Sequence, residues 1–400
     1  MTLAEAEEYL LGLEQFGMRF GLDRMQALLT ALGEPQRRFG SVHVVGTNGK
    51  SSTARFTAAI LERVGVRTGT YTSPHLRSFR ERIEVGEVPV SPERFAAAVG
   101  RAAAAAREVD DGRDADDRVT QFEALSAAAL LELADSRAEI AVVEAGLGGR
   151  LDATNVLESR VQVLTGVSLE HTRWLGSTIA AIAEEKLAVV RAGATLVVGA
   201  DLHPDALRVA ERVVREMSAR LVTAPSVESA SFQARNFALA EAAAGLIAPV
   251  GPSAAGAALA ETRVAGRLDV VDREPLTLLD GAHNPAGAQA LAAALPGVIE
   301  GRAPLVIVLS VLEDKDAAGV LAPLVEVADA LIFTRCTNPR ALDPDELRGE
   351  ASGQIVPEPR AALARAREVA GPAGAVLATG SIYLIADLLR EAGDPRASTL

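Results

Sequence analysis

Short apolar runs alternate with longer, helix-like segments along almost the whole chain. In the first half these runs lie at 42–46, 139–146, 161–167 and 194–200. They show no polar–apolar alternation, which is typical of central strands covered on both faces. Alanine-rich segments separate them, and Ser91 is the predicted N-cap of one such helix. This order of elements predicts an α/β protein with a mainly parallel sheet.

A change in composition suggests a second domain. The stretch 248–269 is rich in Pro, Gly and small residues, and we expect a domain boundary there. Beyond it, the runs at 275–281, 304–310, 330–336 and 375–380 again resemble strands followed by helices. The second domain is therefore predicted to be a smaller α/β sheet of about 135 residues, close to the usual domain size.

Composition and charge narrow the class of protein. The 400 residues are 49 % hydrophobic and carry a net charge of −13, which allows a large core and argues against general nucleic-acid binding. The single cysteine, Cys336, excludes an internal disulfide or a thiolate metal cluster. Neither the N-terminus nor any apolar run resembles a signal peptide or a membrane span. We expect a cytoplasmic protein without membrane attachment.

The segment HVVGTNGKSSTARF, residues 43–56, carries the first candidate chemistry. A strand, a glycine turn and a helix N-terminus would direct backbone N–H groups and the positive helix end at a phosphate. The common phosphate loop has a glycine five residues before the Gly-Lys pair, but Val44 occupies that position. An ordinary strand–helix turn with a chance lysine is the alternative interpretation.

The short loop resembles that of the Mur ligase superfamily, and the segment 71–87 resembles the Ser-Pro-His-Leu loop of folylpolyglutamate and dihydrofolate synthases. Most of the chain shares this resemblance. The further matching segments are 120–130, 142–155, 170–190, 232–243, 265–271, 279–291, 313–316 and 380–384. The resemblance implies a P-loop-type, mainly parallel ATP-binding domain over 1–262 and a smaller, Rossmann-like glutamate-binding domain over 263–400.

The implied reaction is ATP-dependent amide formation. ATP converts a carboxylate to an acyl phosphate, which the amine of L-glutamate then attacks. The acceptor would be a folate, dihydropteroate or both, and the sequence leaves that choice open. The resemblance implies ATP and Mg²⁺, allows a K⁺ ion, and favours a monomer.

The resemblance also implies roles for individual residues. The phosphate loop would comprise Gly46, Thr47, Asn48, Gly49, Lys50, Ser51 and Ser52, and Asn236, Arg267 and Asp280 would also hold ATP. The metal ligands would be Ser73, Glu144 and His171, joined by Ser52. The residues expected to act directly in catalysis are Lys50, His171, Lys186 and Arg267, with Lys186 a candidate for carbamylation. The acceptor would contact Arg82, Gln121, Phe122 and Glu123, and L-glutamate would contact His283 and Ser381.

Some of these residues have simpler alternative roles. Glu144 could be a capping or solvated carboxylate, and Phe122 a plain core residue. Lys186 could be an exposed lysine paired with Glu184 or Glu185. The chain also departs from the family pattern at Ser51, where many members have glycine, and at Glu170, where aspartate is usual.

The sequence leaves two other functions as alternatives. An amide ligase of the same superfamily could act on another carboxylate, such as a cell-wall precursor, although the 71–87 loop argues against it. A catalytically silent nucleotide-binding regulator would not need Lys50, Glu144, His171 and Arg267 together.

Overall fold

The computed structural model describes residues 1–13, 21–114, 117–227, 231–349 and 351–391. The chain divides into two compact units. The first comprises Met1–Val227 and Gln233–Thr262, and Arg263 and the residues after it belong to the second.

The first unit alternates strands with helices. Its strands are β1 (Gly40–Val45), β2 (Thr68–Tyr71), β3 (Ile83–Val85), β4 (Val88–Pro89), β5 (Ile140–Glu144), β6 (Val161–Leu164), β7 (Thr195–Val198) and β8 (Arg220–Thr223). Its helices are α1 (Leu3–Gly12), α2 (Asp23–Ala31), α3 (Lys50–Arg63), α4 (Pro92–Asp110), α5 (Gln121–Asp135), α6 (Thr172–Leu175), α7 (Ile179–Leu187), α8 (Pro204–Glu216), α9 (Phe232–Gly245) and α10 (Pro252–Glu261).

The sheet of this unit creates a crevice beside its central strand. The strand order is β4-β3-β2-β5-β1-β6-β7-β8; the β2–β3 and β3–β4 pairs are antiparallel and the others parallel. The chain leaves β1 through α3 toward β2, whereas β6 lies on the other side of β1. Such a switch point leaves a ligand crevice at the carboxyl ends of the strands. Register places Val44 beside Glu144 and Val45 beside Leu164, so the ends of β1, β5 and β6 meet there.

Helix α5 shows why the core is aliphatic. Almost every residue of this helix is buried, including its run of alanines, because the helix packs against α4 and the sheet. Small side chains allow close approach without voids. Its N-terminus is closed by a capping box between Thr120 and Glu123, which satisfies backbone N–H groups that would otherwise be unpaired.

The second unit holds the second sheet. Its strands are β9 (Asp269–Arg273), β10 (Leu276–Leu279), β11 (Leu305–Leu309), β12 (Ala330–Phe333), β13 (Gln354–Ile355) and β14 (Ala375–Thr379). Its helices are α11 (Pro285–Ile299), α12 (Ala317–Val325), α13 (Pro344–Arg348), α14 (Pro359–Ala370) and α15 (Ile382–Leu389). The order is β13-β12-β11-β14-β10-β9, and only the β9–β10 pair is antiparallel.

The predicted α/β class is confirmed, and each apolar run named above contains a strand. Ser91 caps α4 by accepting a hydrogen bond from the N–H of Arg94. The stretch 248–269, however, is not simply an irregular connection, since it contains α10. Helix α10 packs against α3, and Glu261 at its last turn pairs with Arg63 at 2.9 Å. Its alanines and Gly256 masked the helical pattern in the sequence.

No helix in the described part of the chain is both long enough and apolar enough to cross a membrane.

Candidate active site

The loop between β1 and α3 is the centre of the first unit's site. Gly46 has φ 152° and Gly49 has φ 84°, a region that favours glycine. A side chain at Gly46 would collide with Thr165, and one at Gly49 with the amide group of Asn236. Both glycines are therefore required by backbone conformation and by space, and Asn236 lies directly against the loop.

Residues after β6 hold this loop in place. The Thr165 hydroxyl donates to the carbonyl of Asn48 at 2.6 Å, and Thr47 Oγ1 accepts a hydrogen bond from the N–H of Ser168 at 3.1 Å. Lys50 Nζ donates to the carbonyl of Thr47 at 3.2 Å. Sequence reasoning missed Thr165 and Ser168, because their role depends on β6 lying beside β1 in the sheet.

Glu144 joins two loops at the end of β5. Its Oε1 lies 3.1 Å from the Ser51 hydroxyl, and its Oε2 accepts a hydrogen bond from the N–H of Ser73 at 3.0 Å. The Ser51 hydroxyl is also 3.4 Å from the carbonyl of Ser73. The carboxylate is 2 % exposed, so the interpretation of Glu144 as a solvated surface group is wrong. These oxygen atoms are of the kind that a hard divalent cation prefers.

The serine beside Glu144 is Ser51, whereas the sequence interpretation favoured Ser52 as the metal ligand. Ser52 is 1 % exposed, and its hydroxyl has no hydrogen-bond partner within the described residues. Consecutive helical residues point about 100° apart, so only one of the two serines can face Glu144. Within the same residues, no three His, Cys, Asp or Glu side chains group closely enough to hold a metal ion. A cation here would thus need serine, phosphate or water oxygens beside Glu144.

Lys186 reaches the same loop from α7. It is 4 % exposed, and its Nζ donates to the carbonyl of Gly46 at 2.8 Å. Burial, assisted by the charge of Lys50, lowers the pKa of Lys186 to about 7. The alternative of an exposed lysine paired with an adjacent glutamate is wrong, because Glu184 pairs with Arg212 and Glu185 with Arg150. A lysine with a lowered pKa has an available amine lone pair near neutral pH, which is what carbamylation would require.

His171 precedes α6 in an unusual backbone conformation. It has φ 51°, a left-handed value uncommon for residues other than glycine, and occupies the N-cap. Its Nε2 lies 3.9 Å from Glu170 Oε1. Such strain often marks functional positions. Its role as a metal ligand stays a prediction.

The residues predicted for the acceptor have different environments. Glu123 accepts hydrogen bonds from Arg24 and from Thr120, and Gln121 Nε2 donates to the carbonyl of Leu10 at 2.9 Å. Arg82 is 5 % exposed, and its Nε donates to His75 Nδ1 at 3.0 Å. These contacts support structural roles for the three polar residues.

Phe122 is the predicted acceptor contact with a partly exposed side chain. It packs on the core beside Tyr71, with the two ring centroids 6.2 Å apart. Part of its ring therefore remains available to a ligand.

Four predicted residues come together in the second unit, at the ends of β10 and β14. The Asp280 carboxylate accepts hydrogen bonds from the N–H groups of Leu268 and Ala282, both at 2.8 Å. Arg267 lies directly over Gly281, whose carbonyl is 2.8 Å from His283 Nδ1. Ser381 caps α15, and the preceding N–H of Gly380 donates to the carbonyl of Ala282 at 3.0 Å. Burial raises the pKa of Asp280, and the charge of Arg267 opposes that rise.

A buried polar chain under the first crevice was missed by the sequence analysis. His43 on β1 is 2.8 Å from the hydroxyl of Thr154, which in turn donates to Asp152. All three side chains are nearly inaccessible to water. Burial, with a smaller contribution from Arg191, lowers the pKa of His43 to about 3, so this imidazole is neutral near pH 7. Nothing in the local sequence links residue 43 to residues 152–154, because the contact depends on tertiary structure.

Comparisons with known proteins point to one family. Residues 266–382 match the family described as Mur ligase, glutamate ligase domain. The dihydrofolate synthase/folylpolyglutamate synthase of Mycobacterium tuberculosis is 35 % identical, with the match covering 84 % of this chain and 78 % of that protein. The enzyme of the same name from Bacillus subtilis is 30 % identical, with 96 % and 97 % covered.

Solved structures give the same result. The M. tuberculosis folylpolyglutamate synthase complexed with ADP and AMPPCP is 32 % identical, with a TM-score of 0.87 and 97 % and 99 % of the two chains covered. A bifunctional folylpolyglutamate synthase/dihydrofolate synthase with Mn, AMPPNP and L-glutamate bound is 29 % identical, with a TM-score of 0.83 and 97 % of each chain covered.

The buried histidine predicts a specific pH dependence of stability. The unfolded chain binds a proton at His43 below about pH 6.5 but the folded chain does not until about pH 3, so acidification favours unfolding. Between pH 7 and pH 5 this difference costs about 2 kcal/mol. Between pH 7 and pH 5, we expect the free energy of unfolding of His43→Gln to fall by about 2 kcal/mol less than that of the wild type. The measurement is the urea unfolding transition of the first unit within the full-length protein. Equal losses in both proteins would contradict the buried neutral imidazole.

Proposed function

The chain belongs to the dihydrofolate synthase/folylpolyglutamate synthase family of Mur ligases, and on this premise we propose that it joins L-glutamate to a pterin-bearing carboxylate at the expense of ATP. The acceptor is a reduced folate, dihydropteroate or both. The family match covers almost the whole length of both proteins in the B. subtilis comparison, so the proposal concerns the entire reaction and not a single domain.

The observation that carries the proposal is the contact of Glu144 with Ser51 and Ser73. This carboxylate lies beside the first turn of α3, where the phosphate loop ends. The donors fit a Mg²⁺ ion, which takes one or two carboxylates and completes its shell with phosphate and water oxygens. Such an ion would neutralise phosphate charge during transfer.

The protein's own groups supply the remaining charge and orientation. The N-terminus of α3, with the preceding glycines, offers backbone N–H groups to the phosphates. Lys50 would exchange the Thr47 carbonyl for a phosphate oxygen. Lys186, held at the Gly46 carbonyl, would add a second charged group at the start of the loop, as an ammonium or as a carbamate. Phosphoryl transfer relies mainly on positioning and electrostatic stabilisation of this kind.

The second unit would supply the residues for the amine substrate and for further nucleotide contacts. We assign Arg267 to neutralisation of the γ-phosphate, and Asp280 to nucleotide binding. His283 and Ser381 would contact L-glutamate. Their grouping at the carboxyl ends of parallel strands supports this assignment, because α/β sheets bind ligands at that edge.

One assay tests the proposed reaction. The protein is incubated with ATP, Mg²⁺ and L-glutamate, and dihydropteroate and tetrahydrofolate are offered separately. We expect acceptor-dependent ADP release and a product heavier by one glutamate residue. A product from only one acceptor identifies the preferred substrate. If neither dihydropteroate nor tetrahydrofolate caused ADP release, the proposal would be contradicted.

The two serines of the loop provide a matched pair of variants. Ser51→Ala removes the hydroxyl beside Glu144, and we expect affinity for Mn²⁺, measured with AMPPNP present, to fall about 10–100-fold. Ser52→Ala removes a buried hydroxyl without a partner in the described residues, so affinity should stay near that of the wild type. If Ser52→Ala lowered the affinity for Mn²⁺ and Ser51→Ala did not, Ser52 would be the metal ligand.

A further inference from the structure

The glycine-rich segment Gly146–Gly149 begins two residues after Glu144 and contacts three different elements of the site. A Cβ atom on Gly146 would lie 2.6 Å from Phe122 Cζ. One on Gly148 would lie 2.9 Å from Leu175 Cδ2, in the short helix that His171 begins. One on Gly149 would lie 2.6 Å from the carbonyl oxygen of Lys186. Real Cβ atoms almost never come within 3.0 Å of such neighbours, so an added methyl group at each position would force a neighbour to shift. That shift is easiest at Gly148, where the neighbour is the end of a flexible side chain, and hardest at Gly149, where it is backbone.

Gly149 is packed against the end of α7. Besides the Lys186 oxygen, a Cβ there would approach the Glu185 oxygen to 2.7 Å. The Glu185 carbonyl accepts a hydrogen bond from the N–H of Arg150 at 3.0 Å, which satisfies one of the free carbonyls at the helix terminus. Backbone atoms cannot rotate away as a side chain can. An added methyl group must therefore move the loop or α7.

A buried carboxylate, that of Asp152, holds the Gly146–Gly149 segment in place through backbone hydrogen bonds. Asp152 is 6 % exposed, and its carboxylate accepts hydrogen bonds from the N–H groups of Leu147 at 2.8 Å and Thr154 at 3.0 Å. Because these bonds hold Leu147 to the chain that follows the segment, we expect displacement to fall mainly on the neighbouring elements. On one side the neighbour is the ring of Phe122, and on the other it is the helix that carries Lys186.

We propose that Gly146 and Gly149 are positioning residues with separate targets: Gly149 fixes α7 so that Lys186 reaches the Gly46 carbonyl, and Gly146 fixes the Phe122 ring at the acceptor site. The kinetic part of the proposal rests on the function proposed above, whereas the placement of Lys186 is independent of it.

Two alanine variants three residues apart test this division. For Gly149→Ala we expect kcat to fall about 10–100-fold with little change in the KM of the pterin acceptor, because a charged group at the phosphate loop is misplaced. For Gly146→Ala we expect the KM of the acceptor to rise about tenfold with a smaller change in kcat, since an aromatic contact is displaced. Identical kinetic effects of the two substitutions would overturn the proposal.

The position of Lys186 can be observed without any assay of activity. The chain contains only three lysines, Lys50, Lys186 and Lys315. Protein labelled with [¹³Cε]lysine therefore gives three ε-carbon resonances, and Lys186→Arg assigns one of them. We expect Gly149→Ala to shift the Lys186 resonance and Gly146→Ala to leave it in place. An unshifted Lys186 resonance in folded Gly149→Ala would contradict the proposal, even if the enzyme accepts neither pterin substrate.

Two further variants separate positioning from general destabilisation. Gly353→Ala is equally crowded, with its Cβ 2.6 Å from the Phe333 ring and 2.8 Å from the Leu331 oxygen, but it belongs to the second unit. It should lower Tm and leave the Lys186 resonance unchanged; a comparable shift would count against a specific role for Gly149. If Gly149→Ala fails to fold, Arg150→Ala removes only the 2.9 Å ion pair to Glu185. It should shift the Lys186 resonance in part, and no shift would contradict the coupling of loop and helix.

Discussion

The contact of a single buried carboxylate with two loops organises the first unit. Glu144 lies at the end of β5, and its two oxygens are matched to the Ser51 hydroxyl and the Ser73 N–H. Burying an ionised carboxylate is costly unless hydrogen bonds or a cation compensate for the lost water. The position of the phosphate loop relative to the 71–87 loop therefore depends on this one group. The same requirement makes the site receptive to a divalent cation.

The contacts around the phosphate loop reinforce one another because few groups near this loop are exposed to solvent. Lys186 donates to the Gly46 carbonyl of the loop, and Asn236 packs against Gly49. In a dry environment each electrostatic contact is stronger than in water, and each unpaired group costs more. A loop fixed in this way needs little reorganisation when phosphates arrive, which favours preorganised catalysis.

The sequence was informative where a local pattern determines structure. Buried parallel strands show as short apolar runs, so β1, β5 and β6 could be predicted, and Ser91 could be identified as a cap. The assignment of Ser51 beside Glu144 needed the rotation of α3, which a sequence motif does not specify. The pairing of Glu123 with Arg24, 99 residues away in the chain, could not be read from the sequence either, and the acceptor contact of Glu123 stays a prediction. The His43–Thr154–Asp152 chain and the packing of Gly149 on α7 are likewise products of tertiary structure.

The direct test of this account is the affinity for Mn²⁺ in the presence of AMPPNP, compared between the wild type and Glu144→Gln by isothermal titration calorimetry. The amide keeps the size of the side chain and can still accept the Ser73 hydrogen bond, so the thermal unfolding midpoint should remain close to that of the wild type. We predict that the wild type binds one Mn²⁺ per nucleotide site and that the variant binds it at least about 100-fold more weakly. Equal Mn²⁺ affinity in a correctly folded Glu144→Gln protein would contradict the central role of this carboxylate.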